Sequence, residues 1–342
     1  METLKGKKSV AEQNKQKTMV KVLKILHQKS SRALKEAKNQ ILAEKIESEA
    51  ARKALEHYIK NWNDTTHPGI LALACEAVGG NMEKAVPLQT TMLYLTAALD
   101  LHDDLIDHCK IKNGKLTVFG KYGKDITLLL GNAMMIKGFA LLYYYSKEFE
   151  PKIFEKIVTE IQTKLFDLGN AHLLEADLKG KLEVPPSRYL SILEKKASSI
   201  EIYAKIGAIV GGGSPHEIET LARYGKILGM LICLREEFID IFEPDELKNR
   251  MENEILPLPI LYALRDVKIK KEILHILSKT KITKREVEKI VEYVFQNEET
   301  KKLQKRMQIL AEDALNIISE LKDKAVVDNL KLLIHGALED IK

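Results

Sequence analysis

Apolar residues recur along most of the chain at intervals of three and four positions, which is the period of an α-helix. Alternation with a period of two, which marks β-strands, is nearly absent. The pattern predicts seven long helices, at residues 33–62, 88–107, 126–145, 152–178, 189–210, 216–242 and 300–321. The sequence therefore predicts an all-α protein.

Gly and Pro mark the breaks between these segments. Ser187 follows two prolines and is expected to cap the next helix, while Ser214 is expected to cap a helix with Pro215 at its first position. The stretches 88–101 and 221–234 are apolar around most of the helix circumference. Such helices are typical of the middle of a bundle, with neighbours on every side.

One domain accounts for most of the chain. No linker of interdomain length follows residue 30, and 45% apolar residues can fill a single large core. Lysines crowd residues 1–20, which have little apolar periodicity. We therefore expect a helical domain over residues 21–342 and a basic, flexible tail before it. The net charge of +5 is mild, and we expect no nucleic-acid partner.

Targeting and redox signals favour the cytoplasm. The three cysteines form no Cys-x-x-Cys pair, which fits a reducing compartment and argues against a disulfide framework or a zinc ribbon. The first 20 residues lack the apolar segment of a signal peptide. The most apolar stretch, residues 128–145, is interrupted by Asn132 and Lys137, so we expect no membrane span.

Carboxylates end the apolar segment near residue 100. Asp103 and Asp107 are four residues apart and stack on one helix face, with Asp104 beside them. We call these three residues the first acidic cluster. Like charges beside a core are costly unless a cation compensates them, and Mg²⁺ prefers carboxylate, phosphate and water oxygens. The cluster therefore predicts a Mg²⁺ site.

The same offsets recur after a second apolar segment. We call Glu236, Glu237 and Asp240 the second acidic cluster. One acidic triplet is weak evidence, because solvated acidic faces are common. Two triplets with identical spacing, each at the end of a buried apolar helix, indicate a shared metal site.

The motifs around both clusters resemble those of the trans-isoprenyl diphosphate synthases, the polyprenyl synthetase family of class I isoprenoid synthases. The segment LHDDLID at residues 101–107 looks like the family's first aspartate-rich motif, and EEFID at 236–240 lies where the second is found. GNAMM at 131–135 and LPILYAL at 258–264 also resemble family segments. The resemblance covers most of the chain from about residue 60 onward.

The resemblance implies one bundle of ten or more helices around a central apolar cavity, with both clusters at its mouth. It implies three Mg²⁺ ions held by the six carboxylates, an allylic prenyl diphosphate that ionises to a carbocation, and a homodimer. By analogy, the substrate tail meets Tyr94, Ala97, Ala98 and Leu99. The small alanines favour a tail of C15 to C20 size.

The resemblance is weakest where chain-elongating members bind their second substrate, isopentenyl diphosphate. The family's Gly-Gly-Lys-Arg-x-Arg-Pro segment corresponds to WNDTTHP at 62–68, which has no Lys or Arg. Its Arg-Arg pair corresponds to Lys112-Asn113. Asp64 would repel a second diphosphate, and Lys112 lacks the bidentate fork of Arg. The sequence is thus that of a divergent member with a degenerate second site.

Three basic residues remain candidates for binding a single diphosphate: Lys112, Lys196 and Arg235. The family's Lys-Thr pair aligns with Lys195-Lys196-Ala197, in a register that the sequence leaves uncertain by one. We therefore expect an enzyme that ionises an allylic diphosphate and then cyclises the cation or passes it to an acceptor other than isopentenyl diphosphate.

Three alternatives stay open. The chain is also compatible with a conventional chain-elongating polyprenyl diphosphate synthase. A non-catalytic subunit of a heteromeric synthase fits the missing basic residues, although such a subunit has no physical need for six repelling carboxylates. A helical scaffold without a catalytic role is the third.

Overall fold

The computed structural model describes residues 10–112 and 114–339, with side chains from residue 18 onward. Nearly all of this part is helical, so the predicted all-α bundle of ten or more helices is confirmed. The helices are α1 (Val10–Leu42), α2 (Glu49–Asn61), α3 (Thr66–Ala77), α4 (Val86–Ile106), α5 (Val118–Tyr145), α6 (Pro151–Ala176), α7 (Pro186–Lys196), α8 (Ser198–Val210), α9 (Pro215–Ile239), α10 (Pro244–Asn253), α11 (Leu258–Ala263), α12 (Val267–Leu277), α13 (Lys284–Gln296), α14 (Glu298–Ile318) and α15 (Lys324–Ala337). A short antiparallel hairpin, β1 (Ile111–Lys112) and β2 (Lys115–Leu116), lies between α4 and α5.

Two of the predicted long helices are each divided in the structure. The segment 33–62 contains the end of α1 and the whole of α2, because Ser48 caps α2 with a side-chain hydrogen bond from a backbone N–H. The segment 189–210 contains α7 and α8, which meet at Ala197. The backbone at Gly123, with φ 81°, is not helical and kinks α5 after its first turn.

The two predicted helix caps have different outcomes. Ser214 caps α9 as expected, with Pro215 in the first turn, and Glu217 completes a capping box with it. The prediction for Ser187 is wrong, because α7 already begins at Pro186 and has no side-chain cap. Proline supplies the helical φ at that position, so the serine lies inside the helix.

The predicted tail at residues 1–20 lies partly outside the described residues. From Val10 onward it belongs to α1, which continues without a break through residue 20. Helix α1 packs against α3, α4 and α15. In the described part of the chain, residues 10–20 therefore extend a helix that is joined to the rest of the bundle.

Helices α4 and α9 lie in the middle of the bundle, as their apolar circumference predicts. Helix α4 packs against α1, α3 and α5, and α9 packs against α7, α8, α14 and α15. Close approach requires glycine at some contacts: a Cβ added at Gly207 would lie 2.2 Å from the carbonyl oxygen of Leu71, between α8 and α3. This packing carries the ends of α4 and α9, and so both acidic clusters, to fixed positions.

Helix α5 has two different faces. Leu130, Gly131 and Met134 are buried against α4 and its neighbours, while the opposite face is open. Among the described residues, Val118–Glu148 is the one helical stretch with the length and composition of a membrane span. One such helix is weak evidence for a membrane, since a helix that packs against protein has the same composition.

Candidate active site

The first acidic cluster occupies the end of α4. Asp103 and Asp104 lie in its last turn, and Asp107 is the C-cap residue. The carboxylate of Asp107 accepts a hydrogen bond of 2.9 Å from Nζ of Lys179, just after α6. Nζ of Lys112 on β1 lies 3.8 Å from Oδ1 of Asp104. Two lysines from other elements thus partly compensate the cluster.

A chain of charged groups connects Asp103 to α6 and α7. Nδ1 of His172 lies 3.3 Å from Oδ1 of Asp103 and 3.6 Å from the carboxylate of Glu175. Both carboxylate oxygens of Glu175 accept hydrogen bonds of 2.9 Å from Nζ of Lys196. Lys195 is exposed, so Lys196 is the lysine that faces the cluster. Of the two lysines that the sequence left open, Lys196 is thus the one that pairs with Glu175 beside Asp103.

Within the second acidic cluster, Glu237 is buried and fully engaged. Its Oε1 accepts hydrogen bonds of 2.8 Å from the hydroxyl of Tyr189 and from Nη2 of Arg250. Its Oε2 accepts a hydrogen bond of 2.6 Å from the backbone N–H of Leu258. Nη1 of Arg250 also donates to Oδ2 of Asp240, at 2.8 Å. Arg250 therefore fixes two of the three carboxylates.

Glu236 is more exposed to solvent than the other two residues of the second acidic cluster. Burial by the surrounding protein nevertheless raises its pKa, against the opposing charges of Lys196 and Arg235. Burial alone would lower the pKa of Lys196, but Glu175 and Asp103 outweigh it and raise that pKa. Lys196 thus lies within electrostatic range of both acidic clusters. We call the region that both clusters share, between α4, α6, α7 and α9, the cleft.

Several carboxyl groups in this cleft resist ionisation. Burial raises the pKa of Asp104 to about 6, and the neighbouring Asp100 and Asp103 add to the increase. Burial likewise raises the pKa of Asp240 to about 7, although Arg250 opposes it. Asp103 differs: burial would raise its pKa, but contact with His172 and the charge of Lys196 lower it to about 2. Burial is therefore the main reason that Asp104 and Asp240 hold a proton more strongly than free carboxyl groups do, whereas His172 and Lys196 favour the ionised form of Asp103.

The donor set fits Mg²⁺ that is bound together with a phosphate ligand. Among the described residues, no group of three metal-binding side chains converges closely enough to hold an ion without further ligands. Mg²⁺ usually takes one or two carboxylates and completes its shell with phosphate and water oxygens. Oδ1 of Asp103 is buried without a well-directed hydrogen bond, and Asp104 has only the distant Lys112, at 3.8 Å, as a partner for its charge. Both features are expected of ligands that face a cation.

Of the four residues expected to line the tail pocket, three are buried in helix packing and one is partly exposed. Tyr94, Ala97 and Ala98 are completely buried in the packing between α4 and its neighbours α1, α2 and α5. The hydroxyl of Tyr94 donates a hydrogen bond of 2.6 Å to the carbonyl oxygen of Ala37 on α1. Leu99 alone of the four keeps partial exposure, and it lies one turn before Asp103.

The segment WNDTTHP forms a polar network beside the first cluster. Nδ1 of His67 lies 3.0 Å from Oδ2 of Asp64, and the imidazole ring packs on the ring of Tyr203 from α8 at 4.9 Å between centroids. The hydroxyls of Tyr203 and Thr96 contact each other, and both reach the carbonyl oxygen of Met92 on α4. An Asp–His pair and a tyrosine ring thus occupy the segment where the resemblance implied lysine and arginine.

A family model for polyprenyl synthetases matches residues 48–294 of the chain. The chain belongs to the polyprenyl synthetase family. It is 29% identical over 206 residues to a geranylgeranyl diphosphate synthase of Methanosarcina mazei, a match that covers 60% of this chain and 63% of that protein. It is 25% identical over 229 residues to a short chain isoprenyl diphosphate synthase of Methanothermobacter thermautotrophicus, which covers 67% and 69%. The match to the first relative thus spans less than two thirds of its length.

Solved structures of the family share the fold. Geranylgeranyl pyrophosphate synthetase from Pyrococcus horikoshii superimposes with a TM-score of 0.81, covering 92% of this chain and 98% of that one at 18% identity. At that identity the likeness establishes the architecture. Family membership and fold, both expected from the sequence motifs, are confirmed.

Some residues of the cleft carry no signal in the sequence motifs. Arg250 follows Asp240 by ten positions and belongs to another helix, so only the fold brings them together. Lys179 and His172 also reach the first cluster from outside its motif. Asp64 and His67 did carry a signal, since a spacing of three across a helix start allows a side-chain contact.

Proposed function

We propose that this protein is an enzyme that ionises an allylic prenyl diphosphate in the presence of Mg²⁺. The observation that carries the proposal is the chain of contacts from Asp103 through His172 and Glu175 to Lys196, whose charge also acts on Glu236 of the second acidic cluster. The proposed metal ligands are Asp103, Asp104, Asp107, Glu236 and Asp240. Mg²⁺ held there, as three ions by analogy with the family, would offset the charge that develops on the leaving diphosphate.

Glu237 has a different place in the proposal. Its two oxygens already accept three hydrogen bonds, so it acts as a support that orients Arg250 and α11. Arg250 in turn holds one oxygen of Asp240 and leaves the other for a metal. The sequence motif alone gave Glu237 and Glu236 the same role, and the hydrogen bonds support separate ones.

The chain's own cations would hold the diphosphate. Lys112, Lys196 and Arg235 approach the cleft from β1, α7 and α9, on three sides. Leu99 would contact the prenyl tail near its reacting end. A C15 to C20 tail is proposed by family analogy alone, because Ala97 and Ala98 are packed in the core. Apolar walls around an ionised tail exclude the water that would otherwise quench the cation.

The proposal also concerns what happens to the carbocation after the diphosphate has left. Asp64, His67 and Tyr203 place a carboxylate, its imidazole partner and an aromatic ring where a second diphosphate would need several cations. This supports cyclisation, or transfer to an acceptor other than isopentenyl diphosphate. Conventional chain elongation is the second candidate, and the names of the two archaeal relatives favour it.

Product analysis separates the two candidates. The protein would be incubated with geranyl, farnesyl or geranylgeranyl diphosphate, with and without Mg²⁺ and isopentenyl diphosphate. Mg²⁺-dependent diphosphate release that is independent of isopentenyl diphosphate, with a hydrocarbon or alcohol product, supports the first candidate. A lengthened prenyl diphosphate supports chain elongation and refutes the interpretation of the Asp64 segment. No release from any substrate contradicts both, as a non-catalytic subunit would.

We propose that the protein is a homodimer through the open face of α5. Leu129, Ile136 and Tyr143 lie seven residues apart on this face, and each is at least 66% exposed. A seven-residue apolar spacing is typical of a helix that packs along another helix. Adjacent apolar residues of that size are disfavoured on a free surface.

A cytoplasmic location, without a nucleic-acid or membrane partner, also stays a proposal. The three cysteines are free thiols, which fits a reducing compartment. Fractionation of cells that express the protein would test it: recovery in the membrane pellet after a salt wash would contradict the proposal.

A further inference from the structure

The Asp64–His67 pair has the geometry of a proton acceptor. The carboxylate of Asp64 contacts Nδ1 of His67 at 3.0 Å, and it also accepts a hydrogen bond of 3.3 Å from the His67 backbone N–H. Burial would raise the pKa of Asp64, but these contacts lower it, so the carboxylate is charged. A charged partner on Nδ1 fixes the ring orientation and stabilises the imidazolium that forms when Nε2 takes a proton.

The other ring nitrogen is available. Among the described residues, Nε2 of His67 has no hydrogen-bond partner, and the side chain keeps 24% of its surface exposed. The ring of Tyr203 contacts the imidazole at a tilt of 45°, with 4.9 Å between centroids, and limits its rotation. The charges of Asp100 on α4 and Glu236 on α9 both act on His67. The His67 ring thus lies within electrostatic range of Asp100, one turn before the first acidic cluster, and of Glu236 in the second.

We propose that His67, oriented by Asp64, is the base that removes the proton which must leave after the allylic diphosphate has ionised. This inference rests on the proposed function and adds a catalytic residue to it. The acceptor that fits such a base is a neutral group with a removable proton, either an O–H of water or an alcohol, or a C–H beside the cation itself. A second diphosphate needs cations at this position, whereas these acceptors need a base.

The step balances in both cases. The C–O bond breaks first, and its electron pair leaves with the diphosphate. With an alcohol or water, a C–O bond forms to the cation, the acceptor O–H breaks, and its proton moves to Nε2. With elimination, a C–H bond beside the cation breaks, its electron pair becomes a C=C bond, and the proton again moves to Nε2. The imidazolium then returns the proton to solvent.

The experiment separates ionisation from proton transfer. Farnesyl and geranylgeranyl diphosphate would carry ¹⁸O in the bridge between C1 and phosphorus. Ionisation followed by return moves this label to non-bridging positions in the recovered substrate, which ³¹P NMR detects. Formation of neutral product, an alcohol or a hydrocarbon, is measured in the same tube, and both rates are compared between wild type and His67→Gln.

We expect His67→Gln to retain label exchange while neutral product formation falls about 100-fold, which is typical for loss of a general base. His67→Asn should behave alike, and Asp64→Asn should have a smaller effect in the same direction. His216→Gln is the matched control, because His216 is exposed at the start of α9 and should leave both rates unchanged. Thermal melting of each variant checks that it folds.

The pH dependence of wild type gives a second readout. The groups that face His67 are Asp64, Tyr203, Asp100 and Glu236. Burial lowers the pKa of His67, but the charge of Asp64 and then of Asp100 and Glu236 raise it overall. The ratio of product formation to label exchange should therefore fall as the pH falls through that pKa, because a protonated ring cannot accept a proton.

The other possible results contradict either the role of His67 or the proposed function. Equal loss of exchange and product in folded His67→Gln, or no loss of product, overturns the role of His67. Wild-type exchange without any neutral product also overturns it. If wild type gives neither exchange nor diphosphate release, the proposed function itself fails, and this result is distinct from the others.

Discussion

Nη2 of Arg250 donates a hydrogen bond of 2.8 Å to Oε1 of Glu237, and both side chains are almost completely buried. The same guanidinium holds Asp240 through Nη1. Helix α10 therefore sets the geometry of the second acidic cluster on α9. The cluster depends on a residue that its own motif does not contain.

Replacing Arg250 by Met should destabilise the protein by about 3–5 kcal/mol, because Glu237 would be left as a buried charge without its partner. Arg306→Met is the matched control. Arg306 pairs with Glu194 at 3.1 Å, but both are half-exposed, so its loss should change stability by at most about 1 kcal/mol. Denaturant unfolding measures both values. Equal decreases in the free energy of unfolding of the two variants would contradict the larger contribution assigned to the buried pair.

The metal-free protein should lose stability as the pH rises. Burial raises the pKa of Asp104 to about 6, of Asp240 to about 7 and of Glu254 to about 8. A carboxyl with a raised folded pKa stabilises the fold when protonated, and this contribution disappears as the pH rises through that pKa. Thermal midpoints should therefore decrease between about pH 5.5 and 8.

Mg²⁺ should reverse this trend. Its ligands must be deprotonated, so added Mg²⁺ should raise the thermal midpoint more at about pH 8 than at about pH 5.5. Differential scanning calorimetry with and without Mg²⁺ at each pH gives the comparison. A thermal midpoint that increases steadily across this window without metal would contradict the raised pKa values of Asp104, Asp240 and Glu254.

Restoring cations to the 62–68 segment should create a site for isopentenyl diphosphate. The double variant Asp64→Lys with His67→Arg removes one negative charge and adds two positive ones that diphosphate can contact. Its affinity for isopentenyl diphosphate should increase at least about tenfold over wild type, measured by calorimetry. Lys121→Arg, on the surface of α5, serves as the control for a general effect of Arg. Tight binding already in wild type would refute the interpretation of this segment.

A charge on the open face of α5 should break the proposed homodimer. Ile136 is 69% exposed in the single chain, and Glu at this position would have to be desolvated at an interface. Ile136→Glu should elute as a monomer in size-exclusion chromatography with light scattering, while wild type elutes as a dimer. Ile309→Glu on α14 is the control, because Ile309 is similarly exposed and lies on another helix. A monomeric wild type would contradict the proposal at once.

The sequence predicted the elements that local pattern determines. The two acidic clusters follow from side-chain offsets along single helices, and Ser214 follows from local capping chemistry. The break inside the predicted helix 33–62 was missed, because no Gly or Pro marks it and the capping side chain of Ser48 stands in a helical pattern. Local patterns of Ser and Glu are ambiguous between cap and helix interior.

Contacts between distant segments could not be predicted from the sequence. Arg250 reaches Glu237 only because α10 folds back on α9, and Lys196 could not be distinguished from Lys195 before α7 was oriented. The pairing of Asp64 with His67 is local, yet its meaning required Tyr203 from α8 and the proximity of Asp100. Tertiary packing therefore determines which charged side chains interact with one another.

Mg²⁺-dependent release of diphosphate from farnesyl and geranylgeranyl diphosphate tests the central claim most directly. Wild type and Asp125→Asn should release it only with Mg²⁺, since Asp125 is an exposed acid on α5 outside the cleft. The double variant Asp103→Asn with Asp104→Asn should lose at least about 100-fold in rate while remaining folded. No release by wild type, or equal release by the double variant, would contradict the account.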